Sequence, residues 1–114
     1  MRLLIDLKHV GPRELVQGLI HDLSDRIEQK LSHMGQDSVS LRVVFEEVPG
    51  HKLYKLYKAA VTCHIPKHMI AAHEEGRDAG KALRSAFKEV ERQLDKQIAI
   101  VRRERLRRRG EHRP

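Results

Sequence analysis

The sequence predicts an α+β domain with the order β-α-β-β-β-α, a four-stranded sheet carrying two helices on one face. Three observations predict it. Four short segments alternate apolar and polar residues, the period of a strand with one buried face. Two longer segments space their apolar residues by three and four, the period of an amphipathic helix. And 114 residues suffice for one core, not two. Two amphipathic helices in so short a chain cannot bury their stripes on each other and also cover both sides of a sheet. Side by side on one face is the economical arrangement. It leaves the other face open to solvent, which suits the polar register Lys58, Ala60, Thr62 and His64.

Residues 2–8, RLLIDLK, alternate at Leu3, Ile5 and Leu7 and read as the first strand. Gly11-Pro12 follows, and proline suits a first helical position because its φ is fixed and its N–H is missing. The first helix is expected from about Pro12 to Met34. Its stripe is Leu15, Val16, Leu19, Ile20, Leu23, Ile27 and Leu31, with Gly35 as the residue past its end. Its outer face mixes Arg13, Arg26 and Lys30 with Glu14, Asp22, Asp25 and Glu28, with no patch of one sign. Val39, Leu41, Val43 and Phe45 alternate with Ser40, Arg42, Val44 and Glu46 in a second strand. Pro49-Gly50 marks a turn. Tyr57, Ala59, Val61, Cys63 and Ile65 form the inward register of a third strand. Pro66-Lys67-His68 turns the chain, and Met69 to His73 makes a fourth strand that ends before Gly76.

The last helix organises the functional reading. Asp78 is a good N-cap, with a charge that suits the positive end of a helix. Apolar residues follow at Ala79, Ala82, Leu83, Ala86, Phe87, Val90, Leu94, Ile98 and Val101, one stripe. Lys81, Arg84, Lys88, Arg92, Lys96 and Arg103 fall within an arc of roughly 120° on the opposite side, at about 100° per residue. Asp95 lies within that arc and Glu89 beside it. The row reads either as a solvated helix face or as a contact surface for an anionic partner. The apolar stripe fades after Val101. The chain therefore divides into a domain over residues 1–101 and an Arg-rich tail over 102–114, expected as frayed helix or disorder.

Charge is unevenly placed. The net charge is +7. Residues 102–113 hold Arg102, Arg103, Arg105, Arg107, Arg108, Arg109 and Arg113 against Glu104 and Glu111, a balance of +5 that leaves +2 for the rest of the chain. Any argument for nucleic acid rests on the tail and the row, not on the domain average. Hydrophobic residues at 39% keep the chain out of the disordered class. No apolar run approaches the ~20 residues of a membrane span. The N-terminus has no secretory pattern. The single cysteine, Cys63, excludes an internal disulfide framework and fits a reducing cytosol.

The residues offer little catalysis. There is no glycine-rich phosphate loop and no Ser/His/Asp or Cys/His arrangement. Cys63 falls on an inward register and reads as a buried, inert thiol. His64, His68 and His73 invite a metal reading, since His64 and His73 lie either side of a hairpin. Their spacing is no recognised ligand pattern, however, and no metal or other cofactor is expected. Glu74 and Glu75 are adjacent, so on a strand they point to opposite faces and form no dyad. An enzyme is not expected. Base-stacking readers need aromatics on an open sheet face. Of Phe45, Tyr54, Tyr57 and Phe87, three sit in inward registers. Recognition of structured RNA through its backbone and shape remains, through the row and the tail.

The element order and the run from Lys58 to Lys96 resemble the ribosome hibernation-promoting factor family, also called the ribosome-associated inhibitor, sigma-54 modulation or ribosomal subunit interface protein family. The resemblance is carried by Val61-Thr62, Ile65-Pro66, Ala72, Asp78, Ala82-Leu83 and Glu91-Arg92-Gln93-Leu94 with Lys96. It covers about residues 1–97 and is specific over 58–96. It implies a fold similar to double-stranded-RNA-binding domains and binding in the decoding region of the small ribosomal subunit, blocking tRNA and mRNA by steric occlusion during stress. It implies a cytoplasmic protein with ribosomal RNA as its partner, with no cofactor and no small-molecule substrate. The RNA-binding residues expected are Lys81, Arg84, Lys88, Arg92, Lys96, Arg102, Arg103 and Arg105; Arg92 and Lys96 stand at positions the family fills the same way.

The sequence also departs from the family pattern. Ala79 and Gly80 stand where a bulky apolar residue and Tyr are usual after the helix-start Asp. Arg84 and Glu89 stand where Asp and then Lys are frequent, the charges exchanged. That exchange either preserves a structural contact or re-aims the surface. The chain looks like a short form, without the C-terminal dimerisation domain of long members. Two other readings stand beside this one: a protein-interaction or regulatory domain on the same scaffold, and a generic structured-RNA-binding protein.

Overall fold

Alternation builds the sheet as the sequence predicts. The computed structural model describes residues 1–32, 38–50 and 53–111, the last four as backbone only. Strands β1 (Arg2–Lys8), β2 (Ser40–Glu47), β3 (Tyr57–Ile65) and β4 (His68–Gly76) and helices α1 (Arg13–Lys30) and α2 (Ala79–Glu111) follow the order β-α-β-β-β-α. The sheet order is β1-β2-β3-β4. β1 runs parallel to β2, with Leu3 opposite Leu41 and Leu7 opposite Phe45. The other two pairings are antiparallel, with Val43 opposite Val61 and Val61 opposite Ala72.

Both helices lie on the face that carries Leu41, Val43, Phe45, Ala59, Val61, Cys63, Ile70 and Ala72, all buried. From α1 come Val16, Ile20, Leu23 and Ile27; from α2 come Ala82, Leu83, Ala86, Phe87, Val90 and Leu94. Each fully buried large side chain removes enough apolar surface to contribute about 1.5–3 kcal/mol. The Phe45 and Tyr57 rings stack at 5.6 Å, a cross-strand pair that closes the core toward the end of β2. Arg26 pairs with Glu91 at 3.3 Å and Lys30 with Asp95 at 2.8 Å. Both partners advance by four residues, so the two helices run in the same sense.

Several boundaries differ from the sequence expectation. Pro12 is the N-cap rather than the first helical residue, because its ψ of 130° is extended; α1 begins at Arg13. The helix ends at Lys30, and the N–H of Leu31 is shared between the Ile27 and Glu28 carbonyls at 3.1 Å each. Met34 and Gly35, expected at its end, lie outside the described residues. Leu15 is 74% exposed and does not belong to the buried stripe. Ser24, which no apolar pattern marks, is buried instead.

Strand β4 is longer than expected at both ends. Lys67 takes a φ of 67°, so Pro66-Lys67 alone makes the turn, and His68 already pairs with Ile65. At the far end Gly76 pairs with Tyr57, so β4 matches the full length of β3. Glu74 and Glu75 fall on opposite faces of the sheet, the latter 3.8 Å from Lys58. His64 sits opposite Met69 and His73 opposite Ala60. Four residues of strand separate those rows, about 13 Å, so the two imidazoles do not converge on one ion.

Candidate nucleic-acid interface

The local sequence fixes where α2 starts and how it is turned. Asp78 accepts a hydrogen bond from the Lys81 N–H at 2.9 Å, a side-chain cap on the first turn. Leu83, Phe87, Val90 and Leu94 are buried to 1% exposure or less. With that face pinned to the sheet, the opposite face must look outward. Lys81, Arg84, Lys88, Arg92 and Lys96 are all exposed on it. The row spans about 22 Å from Lys81 to Lys96 at 1.5 Å per residue.

The acidic residues near the row are handled differently from one another. Asp95 is turned to Lys30 of α1, which offsets its charge. Glu91 likewise meets Arg26. Glu89 stays on the flank of the row and holds Arg92 through two bonds: Nη2 to Oε1 at 2.6 Å and Nε to Oε2 at 2.9 Å. Gln93 donates to the same carboxylate at 3.1 Å and to the Ala71 carbonyl of β4 at 3.3 Å. Arg92, then Gln93, hold the Glu89 carboxyl down at about 2, and the pairing raises Arg92 in turn. Among the described residues, Lys81, Arg84, Lys88 and Lys96 enter no ion pair. They are the cations open to an anionic partner, whereas Arg92 is engaged.

Beyond Leu94 the helix leaves the core. Ile98 and Val101 are half-buried, while Ile100 and Leu106 are exposed. The backbone of residues 102–111 continues α2 as helix. Arg102, Arg103, Arg105 and Arg107 are exposed on it. Arg102 and Arg103 prolong the row. Arg105 instead takes the register of Phe87 and Leu94, at about 100° per residue. The sequence reading did not single out Arg77, whose guanidinium lies 3.6 Å from the Tyr54 ring centroid beside the start of α2. No local spacing could reveal that contact, since the partners belong to different segments.

Among the described residues no group of three or more His, Cys, Asp or Glu could hold a metal ion. Burial pushes the Cys63 thiol up to about 11, which suits an inert core residue.

The sequence profile of the sigma 54 modulation protein / S30EA ribosomal protein family matches residues 14–101. The chain belongs to that family. Membership makes it a ribosome-associated protein of the hibernation and subunit-interface class. The fold is similar to the crystal structure of the Thermus thermophilus Protein Y N-terminal domain, with a TM-score of 0.66 and 16% identity, covering 84% of this chain and 98% of that one. It is similar also to a ribosomal subunit interface protein from Coxiella burnetii, with a TM-score of 0.55 and 21% identity, covering 87% and 99%. At those identities the likeness carries the fold. No curated protein sequence matches the chain.

Proposed function

We propose that this family member inhibits translation in the cytoplasm by occupying the decoding region of the small ribosomal subunit, where it blocks tRNA and mRNA by steric occlusion. The observation that carries the reading is the outward cationic row of α2, held rigidly on a folded sheet. Lys81, Arg84, Lys88 and Lys96 would face ribosomal RNA phosphates, with Arg92 among them but held by Glu89, and with Arg102, Arg103 and Arg105 continuing the contact from a tail that begins after residue 101. Phosphate contacts of this kind give an affinity that falls steeply with salt. Occlusion needs no covalent step, no cofactor and no small-molecule substrate, in keeping with a family of ribosome-associated proteins rather than enzymes.

Co-sedimentation with ribosomes and separated subunits tests it, at about 0.15 M salt and then across a salt series. The expected result is saturation near one copy per small subunit, with displacement by tRNA. Lys88→Glu with Arg92→Glu is expected to weaken binding while the fold stays intact. Unchanged binding by that double variant removes the row as the contact surface, and binding that never saturates removes the occlusion mechanism.

A further inference from the structure

The part of α2 that overhangs the sheet carries its charge in a different way from the part that lies on it. Take the direction of Lys88 as zero and advance about 100° per residue. Over the sheet, Arg84, Lys81, Arg92 and Lys96 lie between about −40° and +80° of Lys88, because the apolar stripe takes the remainder. In the overhang, Arg102 and Arg103 lie at about −40° and +60°, Arg105 at about −100° and Arg107 at about +100°. The cationic arc is centred on almost the same direction but widens to about 200°. Arg105 occupies the direction that Phe87, Leu94 and Ile98 use to reach the core, and it is exposed there.

Two further placements agree with a single widened face. Glu104, the one acidic residue among 102–107, lies at about 160°, behind the arc. Leu106, 66% exposed, lies in the middle of it. A helix pressed on one flat layer of phosphates engages the centre of its face. Residues at −100° and +100° point sideways, away from each other. They find partners together with extended side chains where negative charge rises on both flanks.

We infer that residues 102–107 form an RNA-binding arm that lies between two phosphate backbones, in a groove or junction of structured RNA, with Arg105 and Arg107 on its two walls and Leu106 toward its floor. The row over the sheet meets one backbone. The two parts form a continuous contact about 39 Å long from Lys81 to Arg107, at 1.5 Å per residue. Like charges at i,i+3 and i,i+4, as in Arg102/Arg105 and Arg103/Arg107, oppose helix formation in the free arm. Phosphates on both sides remove that repulsion, and the cations at the C-terminal end also suit the helix dipole.

This inference rests on the ribosome reading above, and the test separates the two. Binding of the full chain to small subunits, and to protein-free small-subunit ribosomal RNA, is measured for the unaltered chain and two pair variants across a salt series. The flank variant is Arg105→Gln with Arg107→Gln; the centre variant is Arg102→Gln with Arg103→Gln. Each pair is expected to lower the salt slope by about 1.8 and to weaken binding about 30-fold at 0.15 M salt, taking about 0.9 per phosphate contact. All four residues are exposed and outside the core, so the thermal unfolding midpoint of the domain should not change. A flank variant that binds like the unaltered chain, while the centre variant weakens, means one-sided docking and overturns the arm alone. Weakening on the subunit but not on protein-free RNA assigns the arm to a ribosomal protein and also overturns it. An unaltered chain that binds neither probe sinks the proposed function together with the arm.

Discussion

Glu89 is the residue whose removal should strengthen RNA binding. Its carboxylate grips Arg92 at 2.6 and 2.9 Å in a two-bond arrangement, so the guanidinium that lies closest to the centre of the row after Lys88 and Lys81 is already satisfied. Glu89→Gln removes the negative charge from the flank and leaves an amide that cannot accept both bonds as a carboxylate does. Arg92 then becomes a free cation on an exposed face. One added phosphate contact steepens the salt slope by about 0.9 and tightens binding about 5-fold at 0.15 M salt. The pair is solvent-exposed and i,i+3, so its loss should hardly move the thermal unfolding midpoint. A pH titration cannot replace the substitution. The folded carboxyl sits at about 2, below its unfolded value of 4.5. Its contribution is therefore fully present above pH 4.5 and disappears only as pH falls toward 2. The assay is a fluorescence binding titration on small subunits across a salt series, closed as a cycle with Arg92→Gln and the double variant. The gain should vanish in the double variant if it acts through Arg92. Weaker binding by Glu89→Gln refutes the reasoning and makes the Glu89–Arg92 pair a device that orients Arg92 for contact.

Two predictions concern the core. Ser24 is buried and its hydroxyl has no hydrogen-bond partner among the described residues. Ser24→Ala removes an unsatisfied group costing about 1–3 kcal/mol and adds about 0.5 kcal/mol of helix propensity. A net gain of about 1.5–3.5 kcal/mol raises the unfolding midpoint by roughly 6–15 °C, and a lower midpoint in a thermal melt contradicts it. Cys63, with its thiol pushed up to about 11, should resist thiol reagents at pH 8 and react only as the chain unfolds. Because the folded value is raised, its contribution to stability is constant below about pH 8.5 and is lost as pH rises toward 11; labelling of the native protein at pH 8 as fast as in denaturant excludes a buried thiol.

The sheet and both helices were legible because burial writes a period into the sequence. Leu41, Val43 and Phe45 in one strand and Leu83, Phe87, Val90 and Leu94 in one helix are placed by spacing alone. What escaped depends on partners distant in sequence. Leu15 fits the stripe of α1 by spacing, but no element covers it, whereas Ser24 is covered despite its hydroxyl. The extra length of β4 comes from Lys67 adopting a positive φ and from β3 offering a partner as far as Tyr57. Of the candidate interface, the row could be read from the 3.6-residue period. The engagement of Arg92 by Glu89 could not, since Asp95 has an equally good claim by position and is taken by Lys30 from another helix.

Two of the residues that depart from the expected pattern at the start of α2, Gly80 and Arg84, lie against each other. A Cβ on Gly80 would stand 2.8 Å from Nη1 of Arg84 and 3.4 Å from Oδ1 of Asp78. The guanidinium folds back into the space that a side chain at position 80 would take, so a larger residue at 80 would turn the flexible end of Arg84 outward. A cation in the first turns opposes the helix dipole, and the nearby cap carboxylate of Asp78 offsets that. Glu89 plays no part in this arrangement. Five residues put it about 140° around the helix from Arg84, out of contact range for a local pair, and its carboxylate is committed to Arg92. The charge exchange between positions 84 and 89 therefore does not preserve a contact between them. It moves a positive charge to the N-terminal end of the row and a negative one to its flank, which shifts the open cations toward Lys81, Arg84 and Lys88. Lys96 stays open toward the other end of the helix, where the exposed Arg102 and Arg103 prolong the row.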